Sequence, residues 1–594
     1  MNRRCTLSGR CLASGAFFPL LFATVFAVRY GYSPLVVALH IAQVALVAIL
    51  MVAMIGALRR APVAIARTSI AIIGATLTSA YLLVIVLSTI TNEAWGWSVS
   101  INLARAYLAY LPSIVGNLPV SSGLIALGIG LLVAVVIGIF WIWWVASPRF
   151  LDSRPPASRA AVIATVALAA VLVAFIAIAR RSPDAAAEPL IALLTAPGQA
   201  NAEQARAENV RARHEYTDHR AFSRRNVILI FSDALRADHM GVYGYQRQTT
   251  PFLSHLDSAG RLRKVRLAMA TCPFTACGVL STLASRDSAV LELGSLKLQD
   301  VLHDRGYRVN VIGSSDHTVW YTLRLHYGDN VDYFFDGFHS KRYSLNDDRL
   351  VLEGLDGVPP STGNPAFFFF FLSATHPVGT KRAEFRRWVP AEVSVGTGAG
   401  VPQKNAYDNG ILQADNSIEQ IFTALDNKGY LKGSIVVMLG DHGDGFGEHG
   451  VFGHTRYLYQ EMLHIPLLIL DDSAGTYANL EFATQSDVAP TILARLGLSA
   501  PNQWQGQSLV DKPAKQFSTH WTDRGRPWHA VVYRTQGRIY KYMYVVRWGS
   551  RAEELYELTS DPDERTNLIS TQGLNDIRAA VRWRAHKRWP TDGM

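Results

Sequence analysis

Five long stretches whose interiors carry no Asp, Glu or Lys, at about 14–31, 35–58, 69–91, 122–146 and 160–179, constrain this chain more than any other feature. A helix rises about 1.5 Å per residue, so crossing a hydrocarbon core of ~30 Å takes roughly 20 residues, which each run can about supply. Core helices of water-soluble domains rarely run so long without a charge. Residues 1–181 are therefore expected to form an all-α transmembrane domain of about five helices. The run at 14–31 is the weakest, being short and carrying Arg29 near its end, and a cleaved signal peptide is the alternative there. Segment 92–121, with Trp95, Trp97, Tyr107 and Tyr110, is too polar at its start for a clear span and reads as an interfacial or re-entrant piece.

Charge gives these spans a direction. Up to Arg181 the chain holds thirteen Arg, no Lys and only Glu93 and Asp152, so the net charge of +10 belongs to the apolar part and the remainder is close to neutral. That distribution argues against a nucleic-acid-binding face. Arg3, Arg4 and Arg10 precede the first run, Arg59, Arg60 and Arg67 follow the second, and Arg149, Arg154 and Arg159 follow the fourth. The alternate loops hold only Arg29 and Arg105, and only Arg180 and Arg181 oppose the trend. The excess of arginine puts the N-terminus in the cytoplasm, and five spans then deliver the rest of the chain to the outer face of a cell membrane.

Residues 182–222, rich in Ala, Glu, Arg and Gln, read as a helical juxtamembrane linker, and 223–594 as a separate domain beyond it. Continuous apolar runs at 226–231, 309–313, 366–372, 435–439 and 467–470 predict strands buried on both faces. Helical patterns such as 296–304 and 411–428 lie between them, so the fold class is α/β, a sheet flanked by helices. Alternation at 530–534 and 538–547 predicts a small C-terminal antiparallel sheet. In such sheets chemistry gathers beyond the carboxyl ends of the strands. One strand runs directly into Asp233 and another into Asp441 and His442, so neighbouring strands would create an Asp, Asp, His cluster open to solvent. Taken alone, an Asp or His at a strand end is more often a turn or cap residue than a ligand. Cys272 and Cys277 would pair in an oxidising compartment or serve as small buried residues.

The wording around these strand ends resembles the alkaline phosphatase/sulfatase superfamily. Residues 226–245 read NVILIFSDALRADHMGVYGY and are similar to the opening of sulfatase-type enzymes, in which the strand-end Asp binds metal. Residues 440–444, GDHGD, resemble the second metal segment; 486–491, SDVAPT, resemble a late helix start; and 554–568 resemble the C-terminal signature. The resemblance implies a sulfatase-like catalytic domain over 223–594, with a metal site of Asp233, Asp441 and His442 whose oxygen and nitrogen donors suit zinc or manganese before calcium, which the imidazole disfavours. Sulfatases oxidise a Cys or Ser in C/S-x-P-x-R to formylglycine, and their spacing lands on Cys272, which lacks the Pro and Arg that should follow. Membrane-bound phosphoethanolamine transferases of the superfamily use a Thr instead, some with flanking paired cysteines, behind five spans. Thr275 between Cys272 and Cys277 resembles that arrangement and is the expected nucleophile. The same resemblance assigns His376 to the charged group of the substrate and matches His454 to a region where sulfatases put a substrate-facing Lys or His, whereas Arg236 and Asp238 are expected to fix the loop after the first strand. Those transferases generally begin their first metal segment with Glu; Asp233 in a sulfatase-like context, followed by Ala234 where many calcium-dependent sulfatases have Asp, sits between the two subgroups.

The expectation is a metal-dependent phosphotransferase or phosphodiesterase acting on membrane lipid head groups or envelope glycans at the outer face of the bilayer. A membrane-anchored sulfatase is the rival enzyme, and a catalytically silent lipid-binding or sensing protein is the alternative from another class.

Overall fold

The computed structural model describes residues 34–58, 61–95, 101, 130–131, 133–145, 159–181, 188–194 and 202–589, apart from 288–293, 319–322, 341, 392–399, 456, 473–476, 512–513, 523–527 and 548–549. The described residues divide into two compact units, one up to Leu194 and a larger one from Ala202 onward.

The first unit is helical. Its helices are α1 (Pro34–Leu58), α2 (Val63–Trp95), the shorter apolar Val133–Val145, α3 (Arg159–Ala179) and a single turn and a half at Pro189–Leu194. Among the described residues two helices, over Pro34–Ile55 and Val63–Thr89, are long and apolar enough to cross a membrane, against the five expected. The run at 14–31 lies outside the described residues and that at 122–146 is described only from 130 to 145. Only about a third of the most apolar window of each long helix is buried (29% and 33%), so most of its apolar surface faces outward. A helix in a soluble core does the opposite. α2 begins at Val63 rather than 69, and so takes in Arg67, whose guanidinium stacks 4.8 Å from the Trp144 ring. Leu39, near the start of α1, is buried with Ala179 at the end of α3, so these two helix ends share one face of the unit. There a buried polar cluster joins three segments: His40 Nδ1 lies 2.6 Å from Glu188 Oε1 and His40 Nε2 lies 2.9 Å from the Tyr81 hydroxyl. Glu188 Oε2 accepts the Ile191 N–H at 2.7 Å and so caps the helix at Pro189–Leu194.

The second unit is α/β. Its main sheet has seven strands: β1 (Val227–Ser232), β2 (Leu262–Lys264), β3 (Arg308–Gly313), β4 (Tyr333–Phe335), β5 (Ala366–Leu372), β6 (Ile435–Gly440) and β7 (Leu467–Asp471). They lie in the order β2-β7-β6-β1-β5-β3-β4, with β7 antiparallel to both its neighbours and the other pairs parallel, which makes the sheet mixed. The two edge strands are three residues each, too short to leave a periodic signal in the sequence. Side chains alternate between two cores: Val227, Leu229 and Phe231 face one, Ile228 and Ile230 the other. Phe367–Phe371 are at most 1% exposed, and burying each such ring contributes roughly 1.5–3 kcal/mol. That double burial is why the strands read as unbroken apolar runs. A second sheet of four antiparallel strands, β8 (Phe517–Trp521), β9 (Trp528–Thr535), β10 (Arg538–Arg547) and β11 (Ser550–Glu557), follows, as the late alternation predicted. Within the segment read as a linker, the helix Ala202–Glu215 belongs to this unit: Asn209 Nδ2 donates to Asp300 Oδ2 at 2.9 Å, and Tyr216 and Phe222 pack on the core.

Candidate active site

Strands β6, β1 and β5 run parallel and end level, because Ser232 is in register with Gly440 on one side and Leu372 on the other. The next residue of β1 is Asp233 and that of β6 is Asp441. Neighbouring strands lie about 4.8 Å apart, so the pairing sets the two carboxylates side by side. The chain leaves β1 through Ala234, which adopts a left-handed conformation (φ 58°) at a cost of about 1–2 kcal/mol for a residue with a Cβ. That turn lets the Ala234 N–H donate to Asp441 Oδ1 at 2.9 Å, beside the His442 N–H at 2.8 Å. Tyr407, on the long helix α5 (Val401–Asn427), holds the turn. Its hydroxyl donates to the Ala234 carbonyl at 2.7 Å and accepts the Arg236 N–H at 2.8 Å. Arg236 ties the two strand-end loops together, bonding Asp238 at 2.9 Å and the Asp444 carbonyl at 2.9 Å.

Asp233, Asp441 and His442 offer one ligand atom each within 4.8 Å of one another. His442 Nε2 lies 3.5 Å from Asp441 Oδ2 and 3.7 Å from Asp233 Oδ1. The ring is neutral: burial first, and His454 second, lowers its pKa to about 3, and Nδ1–H donates to the Gly443 carbonyl at 2.8 Å. Nε2 therefore carries the lone pair, turned toward two carboxylates and the Thr275 hydroxyl. Burial pushes the Asp441 carboxyl upward, against the hydrogen bonds it accepts from the Ala234 and His442 N–H groups. Two carboxylate oxygens and one imidazole nitrogen converging in this way fit a divalent cation, and the Gly443 carbonyl sets the tautomer a ligand histidine needs. All three side chains are 0% exposed, so the cluster is buried rather than open to solvent as expected; half-buried His376 and His454 stand beside it.

Thr275 is the first residue of the helix α4 (Thr275–Ala284), and its Oγ1 lies 3.2 Å from His442 Nε2. A helix start carries partial positive charge, which favours an ionised or esterified hydroxyl there. Cys272 and Cys277 are joined by a disulfide that closes a short loop around Thr275. The position of α4 is set by backbone contact: Gly278, one turn along, packs so tightly that an added Cβ would sit 2.2 Å from the Asp441 carbonyl oxygen. Gln485 secures the other side, donating to the Asp441 carbonyl at 2.6 Å and accepting the Thr271 N–H at 2.9 Å.

His376 follows β5, and its ring centroid lies 5.3 Å from that of His454, which in turn lies 4.4 Å from that of His442. Asp233, Thr275, His376, Asp441, His442 and His454 therefore converge beyond the ends of β6, β1 and β5. Burial, followed by His454 and His442, holds His376 well below the ordinary imidazole range. His454 Nδ1 lies 3.1 Å from Asp444 Oδ1, which orients that ring. Sequence reasoning missed Tyr407, Gln485, Asp444 and Lys381. Asp444 was in plain view within GDHGD, but the others had no local signal. Lys381 donates to the carbonyls of His376 at 2.6 Å and Gly379 at 3.1 Å; burial lowers its amine to about 8, against the pull of Asp348, Asp233 and Asp444.

Fold and site together set strand-end carboxylates and an imidazole, a donor set that could hold a metal ion, against a hydroxyl at a helix start. A family model described as sulfatase matches residues 225–498, and one described as N-sulphoglucosamine sulphohydrolase, C-terminal, matches 447–588. The chain belongs, through this unit, to the alkaline phosphatase/sulfatase superfamily. Arylsulfatase K of Bos taurus is 29% identical over 173 residues, 27% of this chain and 32% of its own length. Kdo(2)-lipid A phosphoethanolamine 7''-transferase of Escherichia coli (strain K12) is 24% identical over 301 residues, 46% of this chain and 52% of its own. The solved structure of yidJ from Bacteroides fragilis has the same fold, with a TM-score of 0.50 and 17% identity over 63% of this chain and 97% of that one. The chain thus spans about a third to a half of the length of these two curated relatives.

Proposed function

We propose that this protein is a metal-dependent phosphotransferase or phosphodiesterase that uses Thr275 as its nucleophile on lipid head groups or envelope glycans at the outer face of a membrane. The observation that carries the reading is the Thr275 hydroxyl 3.2 Å from His442, within a buried Asp, Asp, His cluster. The disulfide supports it against the sulfatase reading, because a Cys272 sulfur bonded to Cys277 is not a free thiol for conversion to formylglycine. The likeness to a lipid A phosphoethanolamine transferase over 46% of the chain points the same way, and the arylsulfatase likeness keeps sulfate esters as the second reading.

Asp233, Asp441 and His442 would hold the ion, zinc or manganese before calcium. A divalent ion bound there would favour ionisation of an adjacent hydroxyl and offset charge on the ester oxygens. The residues do the rest. Thr275 Oγ1 forms a bond to phosphorus as the donor alcohol leaves, and an acceptor hydroxyl then displaces the threonine, so one difficult step becomes two. His454, oriented by Asp444, and His376 line the approach, where their imidazole nitrogens hydrogen-bond the transferred group and relay the proton that Thr275 gives up to the departing alcohol. The shared face of the start of α1 and the end of α3 supports an extracytoplasmic catalytic domain, since the arginine pattern makes that face the outer one.

The adduct is the direct test. Incubation with a phosphoethanolamine-bearing lipid should leave a phosphate-linked mass on the peptide containing Thr275; Thr275→Ala should lose it while keeping its metal, and Thr275→Ser should retain some turnover. A wild-type rate in Thr275→Ala with formylglycine found at Cys272 would transfer the assignment to the sulfatase reading, and no turnover of either ester class in any variant would favour the binding protein.

A further inference from the structure

A cavity of about 590 Å³ lies in the larger unit away from the cluster, lined among others by Asp287, Gln505, Lys515, Arg584, Lys587 and Arg588. It is separate from the candidate active site. α4 runs ten residues from Thr275 to Ala284, about 15 Å, and Asp287 lies past its far end. The volume falls within the roughly 300–1,000 Å³ usual for small-molecule sites.

The walls are cationic for a structural reason. The C-terminal helix α6 (Asn575–Arg588) presents Arg584, Lys587 and Arg588 at spacings of three and four, hence on one face. From the 505–519 side comes Lys515, which is buried and paired with Asp487 at 2.8 Å. Arg588 Nη2 donates to the Asp287 carbonyl at 2.8 Å. Arg584 lies over the Phe517 ring at 4.9 Å and Lys587 over the Trp583 ring at 5.1 Å; among the described residues neither has a carboxylate partner. Of these four cations Lys515 is matched by Asp487, and the carboxylate of Asp287, the one acid in the lining, offsets a second charge, which leaves two positive charges over, the complement of a dianion. The Gln505 side-chain oxygen accepts the Asp287 N–H at 2.9 Å, so its amide NH₂ remains a neutral donor at the rim.

We propose that this cavity binds a phosphate monoester group, with Arg584 as the forked donor and Lys587 as the mobile charge. The group would come from a phosphorylated lipid head group or from a free phosphorylated solute; the chemistry of recognition is the same. The site stands independently of what Thr275 does.

The test uses the full-length protein in detergent carrying Asp441→Ala, which removes phosphate binding at the metal cluster, titrated calorimetrically with inorganic phosphate and with short-chain phosphatidic acid. Saturable binding is expected, weakened about tenfold or more in Arg584→Gln/Lys587→Gln and unchanged in Arg565→Gln, whose exposed side chain pairs with Asp563 elsewhere. Lys587 is exposed, so Lys587→Gln alone should fold and serves if the double variant does not. Much tighter binding of phosphatidic acid than of phosphate identifies a lipid source, and equal affinity a soluble one. Absence of saturable binding of both ligands, or binding that Lys587→Gln and the double variant leave unchanged, overturns the proposal.

Discussion

Gly278→Ala tests whether the contact between α4 and the end of β6 sets the distance between Thr275 and the metal cluster. The added Cβ would meet the Asp441 carbonyl oxygen at 2.2 Å, its carbonyl carbon at 2.9 Å and its Cα at 3.1 Å. All three are backbone atoms, so no side chain can swing aside. Ordinary contact begins at 3.4 Å, which means the helix start and the strand end must part by about 1 Å. Thr275 is three residues away on the same helix and moves with it, whereas Asp441 and His442 move with the strand. Overpacking of this kind typically costs about 1–3 kcal/mol, enough to lower the melting temperature by several degrees. A misplacement of ~1 Å between reacting groups costs on the order of a hundredfold in rate. The expected result is therefore near-normal metal content by elemental analysis, a turnover number down about a hundredfold, and a lowered melting temperature. Ala276→Ser, which adds one atom to a half-buried position on the same turn, is the control and should change little. A Gly278→Ala protein with wild-type turnover and melting would refute the account of how the nucleophile is positioned.

Three further outcomes follow from other parts of the structure. Reporter fusions after residue 64 should report cytoplasm and those after residue 200 the outside; a cytoplasmic signal from the latter would remove the case for lipid substrates. Lys541 Nζ and Glu564 Oε1 form a buried pair at 2.5 Å, both 0% exposed, so Lys541→Met should cost about 3–5 kcal/mol in urea unfolding by stranding a buried carboxylate, and Glu564→Gln added to it should restore part of that. His449 donates to Glu461 at 3.0 Å and to the Glu564 carbonyl at 3.1 Å, and the Glu461 bond above all raises its pKa to about 9. A folded pKa raised above the unfolded value near 6.5 gives stability that is complete below pH ~6.5 and lost as pH rises through 9, so wild-type melting should fall across that window more steeply than that of His449→Gln.

What the sequence determined by itself is what burial periodicity and strand-end residues encode locally. Unbroken apolar runs at β1, β3, β5, β6 and β7 disclosed the central strands, and the sulfatase-like motifs that follow β1 and β6 marked Asp233 and Asp441. Whether those acids meet each other depended on register, Ser232 opposite Gly440, which no local pattern records. The three-residue edge strands escaped notice because pairing partners, not their own alternation, hold them in the sheet. Between Cys272 and Thr275 the sequence left a choice. Tertiary structure links Cys272 to Cys277, turns Thr275 toward His442 and presses Gly278 against Asp441. Lys381, Tyr407 and Gln485 became visible only in three dimensions. Their partners are backbone carbonyls far along the chain or in loops, and a carbonyl has no residue identity for a sequence to display.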